Sequence, residues 1–267
     1  MDNAAFRSFL HVLPPVEFAC VYGSSLHPSN HDKTTMTDYI LGVSDPKQWH
    51  SEITGVADKI GVGVHFNPFV TWNGKLFKYG VVRVHDLLQD VQYWEKFYLC
   101  GRLQKPVHVV IDNLDVYSTN SVNLRAAVSA ALLLLPSEFT MVKKIVTGQF
   151  DLFHSMYKPF LEEYEAKKLL RLTSTANDQI HVSQDCDLSV ACSLVSALPP
   201  SIRSQMSMKQ GEKTKLRETG RVIHDTKISS RENAANCLQR ILRRRVMVSS
   251  ARQAISGLLA VGGVNAS

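Results

Sequence analysis

Apolar and polar positions change their period several times along this chain. Val16 to Tyr22 is a mostly apolar run with the length and the β-branched and aromatic content of a buried strand. Tyr39 to Val43 is a second such run, and Gly61 to Val70 a third, broken by Pro68. Trp72-Asn73-Gly74-Lys75 carries the Asn-Gly pair of a two-residue hairpin turn, which predicts a partner strand over Leu76–Val84. Asp86 is placed to cap a helix from Leu87 to about Cys100, and Val107–Ile111 is a further β-branched strand. A hairpin mixed with helices predicts an α+β layer domain over residues 1–115.

Beyond Tyr117 the pattern turns helical. Asn123 to Leu135 reads as a helix stopped by Pro136, Gln149 to Leu172 as a charged helix interrupted near Pro159, and Leu188 to Leu198 as a helix ending at Pro199-Pro200. Ser201 to Arg217 reads as helix and loop. The expected division is therefore 1–117, a smaller and mostly helical 118–215, and a C-terminal region 216–267. In that last region Ala251, Ala254, Ile255, Leu258 and Leu259 follow i, i+3, i+4, i+7, i+8 spacing. Leu238, Ile241, Leu242 and Val246 make a similar stripe, crowded on its polar side by Arg240, Arg243, Arg244 and Arg245. Two readings fit such a helix: a basic amphipathic segment lying in an anionic membrane interface, or a packing helix with solvated arginines.

Composition narrows this picture only slightly. The 267 residues are 45% hydrophobic and 20% charged, enough apolar matter for a core. The formal net charge of +6 suits an anionic partner, whether nucleotide, nucleic acid or acidic membrane, without choosing among them. Five cysteines without C-x-x-C spacing read as reduced thiols, and His27 and His31, with Pro28 between them, as a solvated loop. The longest apolar run, Ala126 to Leu135, is too short to cross a bilayer, no secretory signal is visible, and the first residues make a poor transit peptide.

The chemistry-bearing stretch is Phe18-Ala19-Cys20-Val21-Tyr22-Gly23-Ser24-Ser25, followed by Thr37-Asp38-Tyr39-Ile40-Leu41-Gly42-Val43. A strand ending in Gly-Ser, then an Asp leading a second strand, is the layout of a nucleotidyltransferase site. Gly23 lacks a Cβ and lets a triphosphate approach the backbone. Ser24 offers a hydroxyl and an N–H to phosphate oxygens. Asp38 is the hard oxygen ligand that Mg²⁺ requires beside them. A hairpin turn followed by a strand with one surface Asp accounts for the same residues.

Several segments together resemble one family, the mitochondrial phosphatidate cytidylyltransferases, also described as translocator assembly and maintenance proteins. They are Tyr22-Gly23-Ser24, Asp38 with its strand, Trp49-His50-Ser51, Gly61-Val62-Gly63-Val64-His65-Phe66-Asn67-Pro68 and Lys78-Tyr79-Gly80-Val81-Val82. The most specific is Phe97-Tyr98-Leu99-Cys100-Gly101-Arg102-Leu103-Gln104-Lys105-Pro106-Val107, and Asn123 to Phe139 and Ser249-Ser250-Ala251-Arg252-Gln253 also look alike. The resemblance runs from about residue 15 to the C-terminus. It implies a nucleotidyltransferase-like mixed sheet with helices over 1–117, a winged-helix-like domain over 118–215, and a C-terminal membrane-binding helix. It implies CMP transfer from CTP to phosphatidate, giving CDP-diacylglycerol and pyrophosphate for cardiolipin synthesis, with Mg²⁺, at the matrix face of the mitochondrial inner membrane. Family members usually carry an extra stretch after Trp-His-Ser, where Glu52-Ile53-Thr54 joins directly here, and another after Phe139, before Lys143-Lys144-Ile145-Val146. The second gap gives the middle domain the look of an incomplete one.

Under this resemblance Tyr22, Gly23, Ser24 and Ser25 form the nucleotide cradle and Asp38 holds the metal. Lys78, Arg102 and Lys105 are the candidate phosphate-binding cations, each of which reads equally as a solvated surface charge. Ile40 stands where many nucleotidyltransferases place a second carboxylate, so Asp112 and Asp115 are the candidates for that role, or else turn formers. Tyr79 reads as a packing residue. Arg243, Arg244, Arg245, Arg252, Ile255, Leu258 and Leu259 are the expected membrane contacts, with anionic inner-membrane lipids as partners. Two alternatives accompany this reading: a catalytically impaired form that binds acidic lipid, and a nucleotidyltransferase acting on RNA, for which no aromatic-and-basic platform is evident.

Overall fold

A computed structural model of the chain describes residues 3–26, 36–49, 63–141, 149–174, 180–209, 215–216, 222–223 and 228–264. His27, His31, His50, Ser51 and the two junctions after Ser51 and Met141 lie outside them. The described chain falls into two compact units. One comprises residues 1–92, 96–121 and 246–267, and the other 93–95 and 122–245.

The first unit is built on a five-stranded mixed sheet in the order β3-β4-β2-β1-β5, with β1 at Phe18–Tyr22, β2 at Thr37–Val43, β3 at Val64–Trp72, β4 at Lys75–Arg83 and β5 at His108–Asp112. The α+β mixed sheet expected from the sequence is present. β2 runs antiparallel to β1 and parallel to β4. The β3–β4 hairpin turns at Asn73-Gly74, both with positive φ (49° and 72°), as a type I′ turn requires. β3 shifts register between Asn67 and Val70, where the sequence carries Pro68.

Alternation along the strands sorts the core into two layers. Phe18, Cys20, Ile40, Val64, Phe66 and Val82 face one side and pack against α3 (Val84–Tyr93) and α4 (Leu99–Leu103) through Leu87, Val91, Tyr98, Leu99 and Leu103. Ala19, Val21, Tyr39, Leu41, Phe77, Tyr79 and Val81 face the other side. There α1 (Asn3–Leu10) covers them, with Phe9 stacked on Phe77 at 4.3 Å. A four-residue α2 (Pro46–Trp49) follows β2, and the Trp49 indole N–H donates to the Pro14 and Pro15 carbonyls. The single helix expected from Leu87 to Cys100 is two helices. The chain leaves helical geometry after Tyr93, passes Trp94 and Phe97 at φ +56°, and resumes at Leu99.

The second unit contains most of α5 (Val116–Leu134), then a three-stranded antiparallel sheet in the order β6-β8-β7. Its strands are β6 (Glu138–Met141), β7 (Leu170–Ser174) and β8 (Ile180–Gln184). α6 (Phe150–Ala166), α7 (Leu188–Ser196) and α8 (Pro200–Lys209) complete it, with a short pair β9 (Lys215–Leu216) and β10 (Val222–Ile223). α6 runs continuously through Pro159 and ends before Leu170, where pairing with β8 replaces the helix expected as far as Leu172. Arg125 on α5 and Glu163 on α6 pair at 3.0 Å.

One helix, α9 (Arg231–Val264), joins the two expected C-terminal stripes. Its first half packs through Ala234, Cys237, Leu238 and Ile241, spaced i, i+3, i+4, i+7. Arg231 donates to the Leu132 and Leu135 carbonyls at 2.7 and 3.0 Å, satisfying acceptors at the C-terminal end of α5. All five cysteines are free thiols. No described helix is long and apolar enough to cross a membrane.

Gly80 in β4 tests this packing. A Cβ there would stand 2.6 Å from Val64 Cγ1 and 3.0 Å from Phe66 Cε1. Gly80→Ala is expected to lower stability by about 1–3 kcal/mol through overpacking. A urea midpoint equal to wild type would contradict the placement of these side chains.

Candidate active site

The site grows from the end of the first core layer, where the apolar stripe gives way to charge. Register pairs Tyr22 of β1 with Asp38 of β2, and Asp38 with Lys78 of β4. Paired residues on neighbouring strands share a face about 5 Å apart, so these three side chains continue the face that carries Cys20, Ile40 and Gly80. Inside the sheet the same positions are buried apolar groups. At its end Asp38 and Lys78 are half-buried and charged, beside the buried Tyr22.

Gly23 follows directly, at φ +91°, a conformation L side chains rarely adopt. A Cβ on it would meet Asp38 Oδ2 at 2.9 Å. The backbone after β1 and the Asp38 carboxylate therefore adjoin one another. Ser24-Ser25-Leu26 form a 3-10 turn, anchored by buried Leu26, whose N–H donates to the Gly23 carbonyl at 3.2 Å. Within that turn Ser25 Oγ is buried and has no hydrogen-bond partner among the described residues. A positive-φ glycine, a tight turn and an orphaned hydroxyl beside a carboxylate form a cradle with spare capacity for oxygen-rich anions.

α4 supplies one cation, Arg102, and β4 another, Lys78. Arg102 lies over the Tyr22 ring at 4.7 Å and over the Tyr98 ring at 5.6 Å. Lys78 lies 5.5 Å from the centre of the Phe66 ring, which packs against Gly80. Burial raises the Asp38 carboxyl above its ordinary value, and the Lys78 and Arg102 charges pull it partly back. Burial also raises the Tyr22 and Tyr98 phenols, with neighbouring Tyr98 and Asp38 adding to the shift at Tyr22. Both phenols keep their protons at neutral pH and remain O–H donors. Lys105 is exposed one turn beyond, its N–H bonded to the Arg102 carbonyl at 3.1 Å.

Other candidates lie elsewhere. Asp112 pairs with Phe18, at the end of β1 away from Tyr22. Its carboxylate accepts the Val116 and Tyr117 N–H groups at 2.8 and 2.9 Å, so it caps α5 instead of facing Asp38. Asp115 is in the same cap, at φ +53°. Tyr79 is buried on the α1 side and accepts from Asn67 at 3.0 Å, a packing position. Among the described residues no group of three His, Cys, Asp or Glu side chains surrounds a common point. Asp38 alone still fits Mg²⁺, which takes one or two carboxylates and completes its shell with phosphates and water.

On α9, Arg243, Arg244 and Arg252 are exposed, as are Val246, Met247 and Val248. Arg245 donates to the Trp94 carbonyl. Ile255, Leu258 and Leu259 fall on the helical backbone of α9, but their side chains lie outside the described part. Sequence reading missed Tyr98 as a site residue. Tyr98 precedes Arg102 by one helical turn, the signal that would have joined them.

The family described as mitochondrial phosphatidate cytidylyltransferase matches this chain in three consecutive segments, residues 6–53, 51–143 and 140–267. The segments meet near residues 51–53 and 140–143, the two places where the sequence is expected to be shorter than the family pattern. Among relatives, the human mitochondrial phosphatidate cytidylyltransferase is 35% identical over 51% of this chain and 36% of its own length. The Bos taurus protein is 36% identical over 52% and 49%, and the Saccharomyces cerevisiae protein 36% identical over 52% and 40%. The match thus spans half or less of the length of these curated relatives. Among solved structures, a nucleotidyltransferase-like protein from Exiguobacterium sibiricum 255-15 aligns over 94% of this chain and 76% of its own at 10% identity. Its TM-score of 0.30 is too low to carry an argument.

The raised Asp38 carboxyl has a consequence for stability. Folding strengthens its hold on a proton, so the charged form is penalised at neutral pH, and the penalty fades as pH falls through the ordinary carboxylate range near 3.8. Asp38→Asn is expected to raise the melting temperature at pH 7 and to leave it unchanged below pH of about 3.5. A variant that melts lower than wild type at pH 7 would contradict the burial of this carboxylate.

Proposed function

Because the chain belongs to the mitochondrial phosphatidate cytidylyltransferase family, we propose that this site transfers CMP from CTP to phosphatidate, giving CDP-diacylglycerol and pyrophosphate. The observation that carries the proposal is the approach of the Asp38 carboxylate to the space beside Gly23 that a Cβ would fill, flanked in register by Tyr22 and Lys78. A phosphatidate oxygen attacks the α-phosphorus of CTP, a new P–O bond forms, and the α–β bridging bond breaks with its electrons leaving on pyrophosphate.

Such a displacement depends on alignment and charge neutralisation more than on covalent help. Gly23 to Ser25 hold the triphosphate close to the backbone. Lys78 supplies a point charge and Arg102 a planar fork that spans two phosphate oxygens. Tyr22 and Tyr98, protonated at neutral pH, offer O–H donors beside them. Asp38 is the residue to hold Mg²⁺. When bound, that ion supplies Lewis-acid neutralisation of the phosphates.

We place the reaction at the matrix face of the mitochondrial inner membrane, feeding cardiolipin synthesis. The exposed Arg243 and Arg244, with Val246, Met247 and Val248 beside them, fit an anionic surface. Each arginine near such a surface contributes about 1 kcal/mol. A second reading, an impaired form that binds acidic lipid without turnover, is favoured by the junctions at 51–53 and 140–143.

With Mg²⁺, CTP and phosphatidate, Asp38→Ala is expected to lower CDP-diacylglycerol formation by about a hundredfold or more. Turnover at the wild-type rate would refute the metal assignment. Liposome binding by a wild-type chain that makes no product would establish the second reading instead. Truncation after Arg245 is expected to remove co-sedimentation with anionic liposomes, and unchanged co-sedimentation would refute the membrane role of the rest of α9.

A further inference from the structure

One buried carboxylate is left unused by the chemistry above. Asp90, on α3, is 1% exposed. One of its oxygens accepts the N–H groups of Lys96 and Phe97 at 2.7 and 2.8 Å. The other accepts those of Tyr98, Leu99 and Cys100 at 3.0, 2.8 and 3.3 Å. Five consecutive amides therefore converge on a single side chain. A buried charge is tolerated only when so fully bonded, and bonds to an ionised acceptor are the stronger kind.

The segment gathered in this way is the one that carries the site's upper wall. Trp94 and Phe97 are non-glycine residues held at φ +56°, an uncommon conformation that surrounding structure must enforce. α4 is five residues long, too short to sustain itself. It is held at both ends. Asp90 collects the amides at its start, and buried Asn120 donates to the Leu103 carbonyl at its end, 2.8 Å away. Tyr98 and Arg102 are one helical turn apart within this clamped segment, facing Tyr22 and Asp38.

We propose that Asp90 is a positioning residue: by binding the 96–100 amides it fixes Tyr98 and Arg102 over Tyr22 and Asp38 and so sets nucleotide affinity. The proposal rests on the reading of Arg102 as a phosphate-binding cation. Asp90 itself touches no substrate. Its carboxylate is saturated by backbone donors, and its influence passes through the placement of the guanidinium.

The test is a double-mutant cycle on the full chain, with Mg·CTP affinity measured by calorimetry for wild type, Asp90→Asn, Arg102→Ala and the double variant. Asp90→Asn keeps the shape but turns an amide group toward backbone N–H donors. It is expected to weaken binding about tenfold, and to weaken the Arg102→Ala protein by no more than about twofold, because the two residues act as one unit. Losses that multiply, or an Asp90→Asn protein with wild-type affinity, would overturn the proposal. The nucleotide-free protein separates this result from failure of the underlying reading. There the Arg102 Nε–H resonance, shifted by the Tyr22 ring, is expected to move to the position of an exposed arginine in Asp90→Asn. A resonance that stays in place would also overturn the proposal. Arg102→Ala binding Mg·CTP as tightly as wild type would instead refute the phosphate reading of Arg102. Asn120→Ala releases the other end of α4 and is expected to move the same resonance. It serves if Asp90→Asn fails to fold.

Discussion

The pairing of Tyr22 with Asp38 across β1 and β2 is the constraint on which the site depends. Side chains alternate faces along a strand, so a slip of β2 by one residue would carry Asp38 to the α1 side, among Phe9, Val21 and Phe77. The slip is opposed along the length of the strand. Ile40 would have to leave one buried layer while Tyr39, Leu41 and Val43 left the other. The hydrophobic core thus sets the position of a polar group that contributes nothing to it. Gly23 completes the arrangement, because any side chain there would occupy the space beside the Asp38 carboxylate.

Around that fixed point the electrostatics are arranged in two tiers. Asp38 is half-buried with a carboxyl raised by desolvation, only partly offset by Lys78 and Arg102. It is a poorly compensated anion, and a group in that state gains most from a bound cation. Asp90 is the reverse case, fully buried and bonded by five amides, with no capacity left for a ligand. The same side chain type serves chemistry in one place and geometry in the other. Its supply of hydrogen-bond donors makes the difference. Stability given up at Asp38 is consistent with the strain and desolvation that functional sites hold elsewhere in folded proteins.

Much of this was legible in the sequence because it is local. The strand at Phe18–Tyr22, the Asn73-Gly74 turn and the Gly-Ser followed by Asp are all set by neighbouring residues. The mixed α+β class followed from them. What escaped was decided by partners distant in sequence. The period over Leu87–Cys100 favours one helix, but the Asp90 carboxylate offers the 96–100 amides better acceptors than helical carbonyls do, and the helix divides. Leu170–Leu172 pairs with β8 and leaves the helix its pattern allows. Asp112 sits after a strand like a metal ligand, yet caps α5. Lys78 was placed by resemblance alone, since its pairing with Asp38 needs β4 to run parallel beside β2, an order that no local signal encodes.

The most direct test of the central claim is a crystal structure of the protein with CTP and Mn²⁺, the latter located by its anomalous scattering. The expected result is a metal peak within about 2.5 Å of an Asp38 carboxylate oxygen, with the nucleotide's phosphates lying over the Gly23–Ser25 backbone. A nucleotide bound elsewhere, or a metal with no contact to Asp38, would contradict the account.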